Sequence, residues 1–598
     1  MSLDNNNFKS LLEKAYNHQI NEEYSEAERV YKYLLSLDKK NPDVLRLLGT
    51  LYAENDENDK AIRFLEASNK ENPTNYYTHL NLGTAYGVLE DEEKFLHHLN
   101  LSIKIDPNKF EVYYTVAIFF LRKKKFFKAH EFFEKVFLIN KKFPLIEEYI
   151  FKCKQHLANW ENYNYYKNKI LNNIKNKESY YWPLENLFIC EETFFEKINI
   201  ELYLKLYLKK IPKIQSKKIK HSNHKKINIA YFSGDFKNHA VAHLITGLFE
   251  YHNKNNFNIY GLSTINLKNQ KNSYTERISS AIKIIDISKK SLVEIEKLCL
   301  DLEIDIAIDL SGTTEFNRIE IFYNRVAPIQ INYLGYPGTL GPGLYDYIIA
   351  DSKIIPEKEQ NNYHEKIVYL PNSYQPNDDK QKISNLKFTK AELGLPENNF
   401  IFACFNHPGK ITPSIFDLWI NIINKVNNSV LWLLEFDEIS KKNLQDEANK
   451  RNIKPNKIIF SKKIKFDENL SRIQNADLFL DTYPYNAHTS ARDFLWAGVP
   501  VLTLCGRTFA SRVGYSLLSA LNLSGELTCF DKKQYEEKAI MLSTNKLYYA
   551  QLRNKLAINK VSEPLFNTSL YTKNIEEAFK RIYERNQLNL PVENIYIS

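Results

Sequence analysis

Asp481-Thr-Tyr-Pro-Tyr-Asn-Ala-His-Thr-Ser-Ala-Arg-Asp-Phe-Leu-Trp-Ala-Gly498 is the stretch on which the reading of this chain turns. The apolar run 478–480 before it reads as a buried strand. Pro484 and Asn486 break the chain. His488, Thr489 and Ser490 stand at a helix start, and Phe494, Leu495 and Ala497 supply its apolar face. Gly498 and Pro500 stop that helix, and 501–504 begin the next strand. A strand end, a helix N-terminus and three hydrogen-bond donors therefore meet at one place. Free N–H groups and the helix dipole make such a place attractive to phosphate. The plain alternative is a helix capped by Thr489 or Ser490. The strand-helix-strand context, with His488 and Asp493 beside it, favours the phosphate site.

The same alternation extends in both directions. Apolar runs at 400–405, 430–434, 457–460, 478–480, 501–504 and 527–530 are separated by helix-length stretches. An earlier series lies at 227–232, 257–262, 282–287, 304–310, 329–334, 345–350 and 367–370. Both series read as parallel, doubly wound sheets, with ligands at the carboxyl ends of strands and a cleft between the two units. The residues from about 532 to 586 read as helix, and the tail after Leu590 is expected to fray.

Residues 8–145 repeat. Leu48-Gly-Thr-Leu-Tyr52 recurs as Leu82-Gly-Thr-Ala-Tyr86, thirty-four positions on. Ala15, Gly49, Gly83 and Ala117 share one phase, and Ala27, Ala61 and Ala129 another, with Phe95 as the exception. Asn41-Pro42, Asn72-Pro73 and Asp106-Pro107 are read as closing successive units. This period predicts about four tetratricopeptide helix pairs, stacked as a solenoid for peptide or protein docking. A scaffold or dimerisation surface is the alternative. Residues 146–225 read as a helical connector with an aromatic anchor at Trp160, ending in the basic run 209–226.

Composition fits a large globular protein. The 598 residues are 43% hydrophobic and 26% charged, with a net charge of +9. That modest charge calls for no nucleic-acid partner. The six cysteines form no Cys-x-x-Cys pair, which argues against a zinc site or a disulfide framework and fits a reducing cytoplasm. The segment 1–7 is polar, and no run approaches the roughly 20 apolar residues of a membrane span.

Three loops carry candidate chemistry. Ser233-Gly-Asp-Phe-Lys-Asn-His239 follows the first strand and sets Asp235 and His239 above strand ends. His239 suits an acid, a base or a donor to a sugar. His243, four positions on, makes a zinc pair conceivable, but no Glu accompanies it as in metalloprotease helices. Gly335-Tyr-Pro-Gly-Thr-Leu-Gly-Pro-Gly343 allows close backbone approach to a ligand but lacks a dinucleotide spacing. Phe405-Asn-His-Pro-Gly-Lys410 offers Lys410 as the best cation for a diphosphate. Asp305 and Asp309 share a strand face without making a metal motif.

These blocks, in this order, resemble the O-linked N-acetylglucosamine transferase family, SPINDLY-type enzymes included. So do 327–339, 345–351 and 429–434. The resemblance spans nearly the whole chain. It implies a tetratricopeptide solenoid (1–145), a connector (146–225) and a GT-B fold of two Rossmann-like lobes (226–385 and 386–598). It also implies an inverting, metal-independent protein O-glycosyltransferase that needs no cofactor beyond a UDP-sugar co-substrate. The sugar is N-acetylglucosamine or another hexose, moved to Ser or Thr of protein acceptors docked on the repeats. Membrane and nucleic acid are not partners, and a homo-oligomer stays open. By position, Lys410 would hold the donor phosphates, and His488, Thr489 and Ser490 would cap the diphosphate. Asp493 would bind the ribose, and Arg472 would lie beside the uracil. Leu334 and Gly335 would line the sugar pocket, with His239 and Asp235 near the reacting centre. The general base is left unassigned.

The chain departs from the pattern at several of these positions. Ser490 replaces the more usual Thr, and His407 stands where animal members have Gln. Phe466 and Asn469 replace a Lys and a His that help hold the nucleoside. Tyr485 occupies the place of a small Cys near the acetyl group. Two alternatives follow. One is transfer from GDP-fucose or UDP-glucose, or to Asn. The other is a scaffold with a degenerate catalytic half.

Overall fold

The computed structural model describes residues 5–211, 213, 219, 224–268, 270 and 272–598. Much of the basic run 209–226 therefore lies outside the described residues. The chain divides into two compact units, 1–154 and 155–598.

The first unit contains antiparallel helix pairs: Asn5–Ile20 with Tyr24–Leu37, Pro42–Glu54 with Asn58–Glu71, Tyr76–Val88 with Glu92–Ile105, and Phe110–Arg122 with Phe126–Ile139. The small residues set how closely each pair packs. A Cβ on Gly49 would stand 2.7 Å from Leu65 Cγ, and one on Gly83 2.5 Å from Leu99 Cδ2. Phe95 fits its small-residue position because Gly87 makes room, since a Cβ there would lie 2.7 Å from the Phe95 ring. The displaced ring stacks on Phe119 at 4.0 Å. The expected unit boundary needs one correction. Asn41 does not close a unit, because its side chain accepts from Val44 N and caps the following helix, with Pro42 in the first turn. The residues that end the second helices are Asp38, Asn72, Asp106 and Asn140.

The second unit opens on a connector. Trp160 packs 5.2 Å from the Phe416 ring, with the Arg451 guanidinium 5.5 Å above its own ring. Two sheets follow, and every strand pair in them is parallel. The first contains β1 Ile227–Ser233, β2 Phe257–Ser263, β3 Lys283–Asp286, β4 Ile306–Asp309, β5 Ile329–Asn332, β6 Tyr347–Asp351 and β7 Lys366–Leu370. The second contains β8 Phe400–Cys404, β9 Ser429–Glu435, β10 Ile458–Lys462, β11 Leu478–Leu480, β12 Val501–Leu504 and β13 Thr528–Cys529. A last strand, β14 Ile595–Tyr596, joins β7 of the first sheet.

This last pairing corrects two expectations. The tail does not fray: Ile595 and Ile597 are buried, and Tyr596 stacks on Tyr369 at 4.8 Å. Nor does the division at 385/386 hold to the end of the chain. The final helix, Thr568–Gln587, also leaves the second lobe, and Glu576 binds His252 and the Asn253 amide of the first.

Strand order locates the crevices. The first sheet runs β14-β7-β6-β5-β4-β1-β2-β3 and the second β10-β9-β8-β11-β12-β13. Each reverses direction once, between β1 and β4 and between β8 and β11. Crevices for ligands open at such switch points, beyond the carboxyl ends of the strands. The loops 233–239 and 310–318 leave β1 and β4, and 405–410 and 481–488 leave β8 and β11.

Candidate active site

Asp481 organises the second crevice. Its carboxylate is buried and accepts from Thr482 N at 2.8 Å, Ala487 N at 2.6 Å and Thr503 Oγ1 at 2.7 Å. Those bonds fold residues 482–487 back over the strand end. Asn486 Nδ2 donates to Thr482 O at 2.8 Å and closes the turn. Burial pushes the Asp481 carboxyl up to about 7. Nothing in the sequence marks Asp481 for this role, because a strand-end Asp is common and its three donors come together only in the fold.

Lys410 reaches this turn from the β8 loop. Its Nζ donates to Asn486 O at 2.9 Å and lies 3.6 Å from the centre of the Tyr485 ring. Burial pushes its pKa down to about 7, against the pull of Asp481. The helix Thr489–Trp496 starts beside it. His488 is its N-cap residue, and no side chain caps the helix. The capping reading of Thr489 or Ser490 is therefore corrected, because both lie inside the first turn. Burial, then the neighbouring Lys410 charge, keep the His488 imidazole neutral, with Nε2 3.3 Å from Ala510 O. The place thus offers one cation and an uncapped helix start, which suits an anion.

Aromatic rings close one side of it. Tyr485 is buried, 5.7 Å from Phe188 and 5.0 Å from His488. His407 accepts from Gly409 N at 3.0 Å, with its ring 5.0 Å from those of His156 and Phe436. Phe188, Tyr485 and Tyr336 share one apolar cluster with Phe232 of β1, so the second-sheet loop abuts the first lobe. No pattern in the sequence marked Phe188, which the connector delivers to this spot.

At the first crevice, His239 is the N-cap of the helix Ala240–Tyr251. Its Nδ1 lies 3.3 Å from both Asp235 Oδ2 and Val241 N. Asp235 is buried, while the His239 side chain is 44% exposed. Leu334 takes φ +72, and Gly335 N donates to Tyr333 O at 2.9 Å across a three-residue turn. The empty Cβ position of Gly335 is taken by Leu310, whose carbonyl oxygen would be 2.0 Å from a Cβ. That contact seats the β5 loop against the β4 loop.

The sequence model of glycosyl transferase family 41 matches residues 194–390 and 386–575. The chain belongs to glycosyl transferase family 41. A tetratricopeptide repeat model matches 20–82. Among curated proteins, the chain is 38% identical over 367 residues to the probable UDP-N-acetylglucosamine–peptide N-acetylglucosaminyltransferase SEC of Arabidopsis thaliana, covering 60% of this chain and 37% of that one. It is 24% identical over 514 residues to the Caenorhabditis elegans UDP-N-acetylglucosamine–peptide N-acetylglucosaminyltransferase, covering 67% and 44%. The chain thus spans less than half the length of these relatives. Among solved structures, a mutant of Thermobaculum terrenum O-GlcNAc transferase shares its fold, with TM-score 0.63 and 20% identity over 98% of this chain and 99% of that one.

The remaining candidate residues lie in or beside the helices Phe466–Arg472, Thr489–Trp496 and Ala240–Tyr251. Arg472 is buried beneath the Phe405 ring, at 5.1 Å, and donates to Asn469 Oδ1 at 2.8 Å and Lys462 O at 2.6 Å. Burial lowers its pKa to about 10. Asp493 accepts from Arg492 Nη1 at 3.1 Å, and burial raises its carboxyl to about 6. Phe466 stacks on His243 at 3.8 Å, and His243 Nε2 lies 2.7 Å from Asn238 Oδ1. Those contacts set the His243 ring against Phe466 and Asn238. Among the described residues no group of three His, Cys, Asp or Glu side chains is placed to hold a metal. No helix among them is long and apolar enough to cross a membrane. A cavity of about 1040 Å³ opens beside Phe466, lined also by Asn238, Tyr274 and Gln381.

Proposed function

We propose that this chain is an inverting protein O-glycosyltransferase that moves a hexose from a UDP-sugar to Ser or Thr of a polypeptide acceptor. The carrying observation is the pair of switch points, one holding Lys410 at an uncapped helix start and the other Asp235 with His239. The bond from the anomeric carbon to the diphosphate breaks, and one from the acceptor oxygen to that carbon forms. Lys410 and the N–H groups at Thr489 and Ser490 take the charge on the departing diphosphate. Asp493 and Arg472 are assigned to the nucleoside, His407 to the donor, and Leu334 and Gly335 to the sugar side. His239, oriented by Asp235, lies on the side where the acceptor hydroxyl loses its proton. This assignment uses protein groups alone, without a metal. The six cysteines are all buried and none is in a disulfide, which suits a reducing cytoplasm.

The relatives are named for N-acetylglucosamine, but Tyr485 favours a donor with a small 2-substituent. C2 of the sugar is one bond from the carbon that carries the phosphate. The Tyr485 ring lies 3.6 Å from Lys410 Nζ, the cation assigned to the diphosphate, and so on the side of the cradle where that carbon is proposed to lie. Thermal-shift titration of the whole chain with UDP, GDP and their sugars tests both readings, because a ligand of the native state raises the apparent melting temperature. The transferase reading fails if no nucleotide sugar gives a saturable shift. The hexose reading fails if UDP-N-acetylglucosamine outcompetes UDP-glucose.

Proton linkage gives a further check. Free Lys410 loses its proton near pH 7, whereas a bound diphosphate holds it protonated. Binding above that pH therefore takes up a proton and weakens as pH rises. The Kd for UDP is expected to increase about tenfold per unit between roughly pH 7.5 and 9. Calorimetry in buffers of different ionisation enthalpy reads the proton directly. A Kd that stays flat over that range would remove Lys410 from the phosphate site.

We assign acceptor recruitment to the repeats, residues 1–145, where local concentration replaces tight contacts at the crevice. Their deletion is expected to raise KM for protein acceptors at least about tenfold and to leave short peptides little changed. Equal losses for both would count against docking.

A further inference from the structure

Phe316, in the β4 exit loop, is held in a form that its own chemistry disfavours. It takes φ +59, a left-handed backbone that suits glycine or asparagine and is rare for a bulky side chain. The residue is also 46% exposed. Three contacts nevertheless fix it there. Thr264 Oγ1 donates to Phe316 O at 2.8 Å. Lys237 Nζ lies 4.2 Å from the ring centre. Gly234 leaves room for the Phe316 side chain, since a Cβ at 234 would stand 2.5 Å from Phe316 Cβ. Strain that the surroundings hold in place, on a loop at the edge of a crevice, points to use of the side chain.

Its position says what that use is. β1 and β4 flank the switch point of the first sheet. Gly234 and Lys237 belong to the same loop as Asp235 and His239. In the transferase reading, on which this inference rests, the second-sheet loops hold the leaving diphosphate. Displacement with inversion brings the attacking oxygen in from the opposite side. The acceptor chain must then run along the β1 and β4 loops, where Phe316 is the exposed apolar group.

We propose that Phe316 is an acceptor-binding platform. Its open face receives an apolar side chain of the acceptor polypeptide, within about three residues of the glycosylated Ser or Thr. Lys237 braces the opposite face of the ring. The contact sets acceptor choice through apolar burial, and the platform takes no part in the chemistry.

The test uses the full chain and Ser-centred synthetic peptides that differ only in carrying Val or Gly beside the serine. Phe316→Gly removes the ring and relieves the backbone, so the melting temperature should hold or rise. Phe316→Tyr keeps a ring on the same backbone. For the Val-flanked peptide, Phe316→Gly is expected to raise KM at least about tenfold with kcat within about twofold, and Phe316→Tyr to retain wild-type KM. The Gly-flanked peptide should respond little to either change. An active Phe316→Gly enzyme whose KM for the Val-flanked peptide is unchanged, or whose KM rises equally for both peptides, overturns the platform and leaves the transferase reading standing. A wild-type chain that binds no nucleotide sugar and glycosylates neither peptide overturns that reading, and the platform with it.

Discussion

Lys410→Ala is expected to lower kcat/KM for sugar transfer about a thousandfold or more, roughly 4 kcal/mol of transition-state stabilisation, while the fold survives. The size follows from the surroundings. His488 is held neutral and donates toward Ala510, so the cationic share of the cradle falls on Lys410. The neighbouring carboxyl of Asp481 is occupied by the turn it organises. A departing diphosphate would meet only the N–H groups of the helix start. The fold should hold because Lys410 makes one bond to the turn, at Asn486 O, and burial already disfavours its charge. Single-turnover transfer rates and urea midpoints of both proteins check the two halves. Wild-type turnover in the variant would end the proposed role, and loss of the fold would show that Lys410 serves structure first.

Gly335→Ala is expected to destabilise the first lobe by about 2–4 kcal/mol and to remove activity, while Gly343→Ala costs about 1 kcal/mol. Both glycines belong to the same glycine-rich stretch, yet their surroundings differ. A Cβ at 335 would meet the Leu310 carbonyl oxygen at 2.0 Å, its carbon at 2.8 Å and Ser311 Cα at 3.2 Å, all backbone atoms that cannot step aside. The β4 and β5 loops would have to part, carrying Leu334 and Phe316 with them. At 343 a Cβ meets nothing within 4 Å, and only the φ of +81 is strained. Chemical denaturation of the two variants side by side measures the difference. Equal midpoints would mean that the loops give way cheaply and that Leu310 does not lock them.

The architecture was legible because it rests on local pattern. The thirty-four-residue spacing and the buried small residues announced the helix pairs, and the alternating apolar runs announced two parallel sheets. Local reading went astray where the contact a residue makes in the fold overrode its type. Asn41-Pro42 looks like a terminator, yet its side chain caps the helix ahead. The final residues look like a loose end, but β7 offers them an unpaired edge and Tyr369 a ring to stack on. Phe95 looks like a misfit until Gly87 is seen beneath it.

At the candidate site, sequence by itself determined which side chains would stand at the strand exits: Asp235, His239, Lys410 and His488, with Thr489 and Ser490 opening the helix that follows. Such placement follows from where each apolar run stops. Only the tertiary structure decided what those groups do to one another. It set Tyr485 over Lys410, gave Asp481 three donors, stacked Phe466 on His243 across the lobes and held Phe316 in a left-handed turn. Periodicity is a property of neighbours along the chain. Charge state, strain and access depend on what folding brings alongside from elsewhere, and no local pattern encodes that.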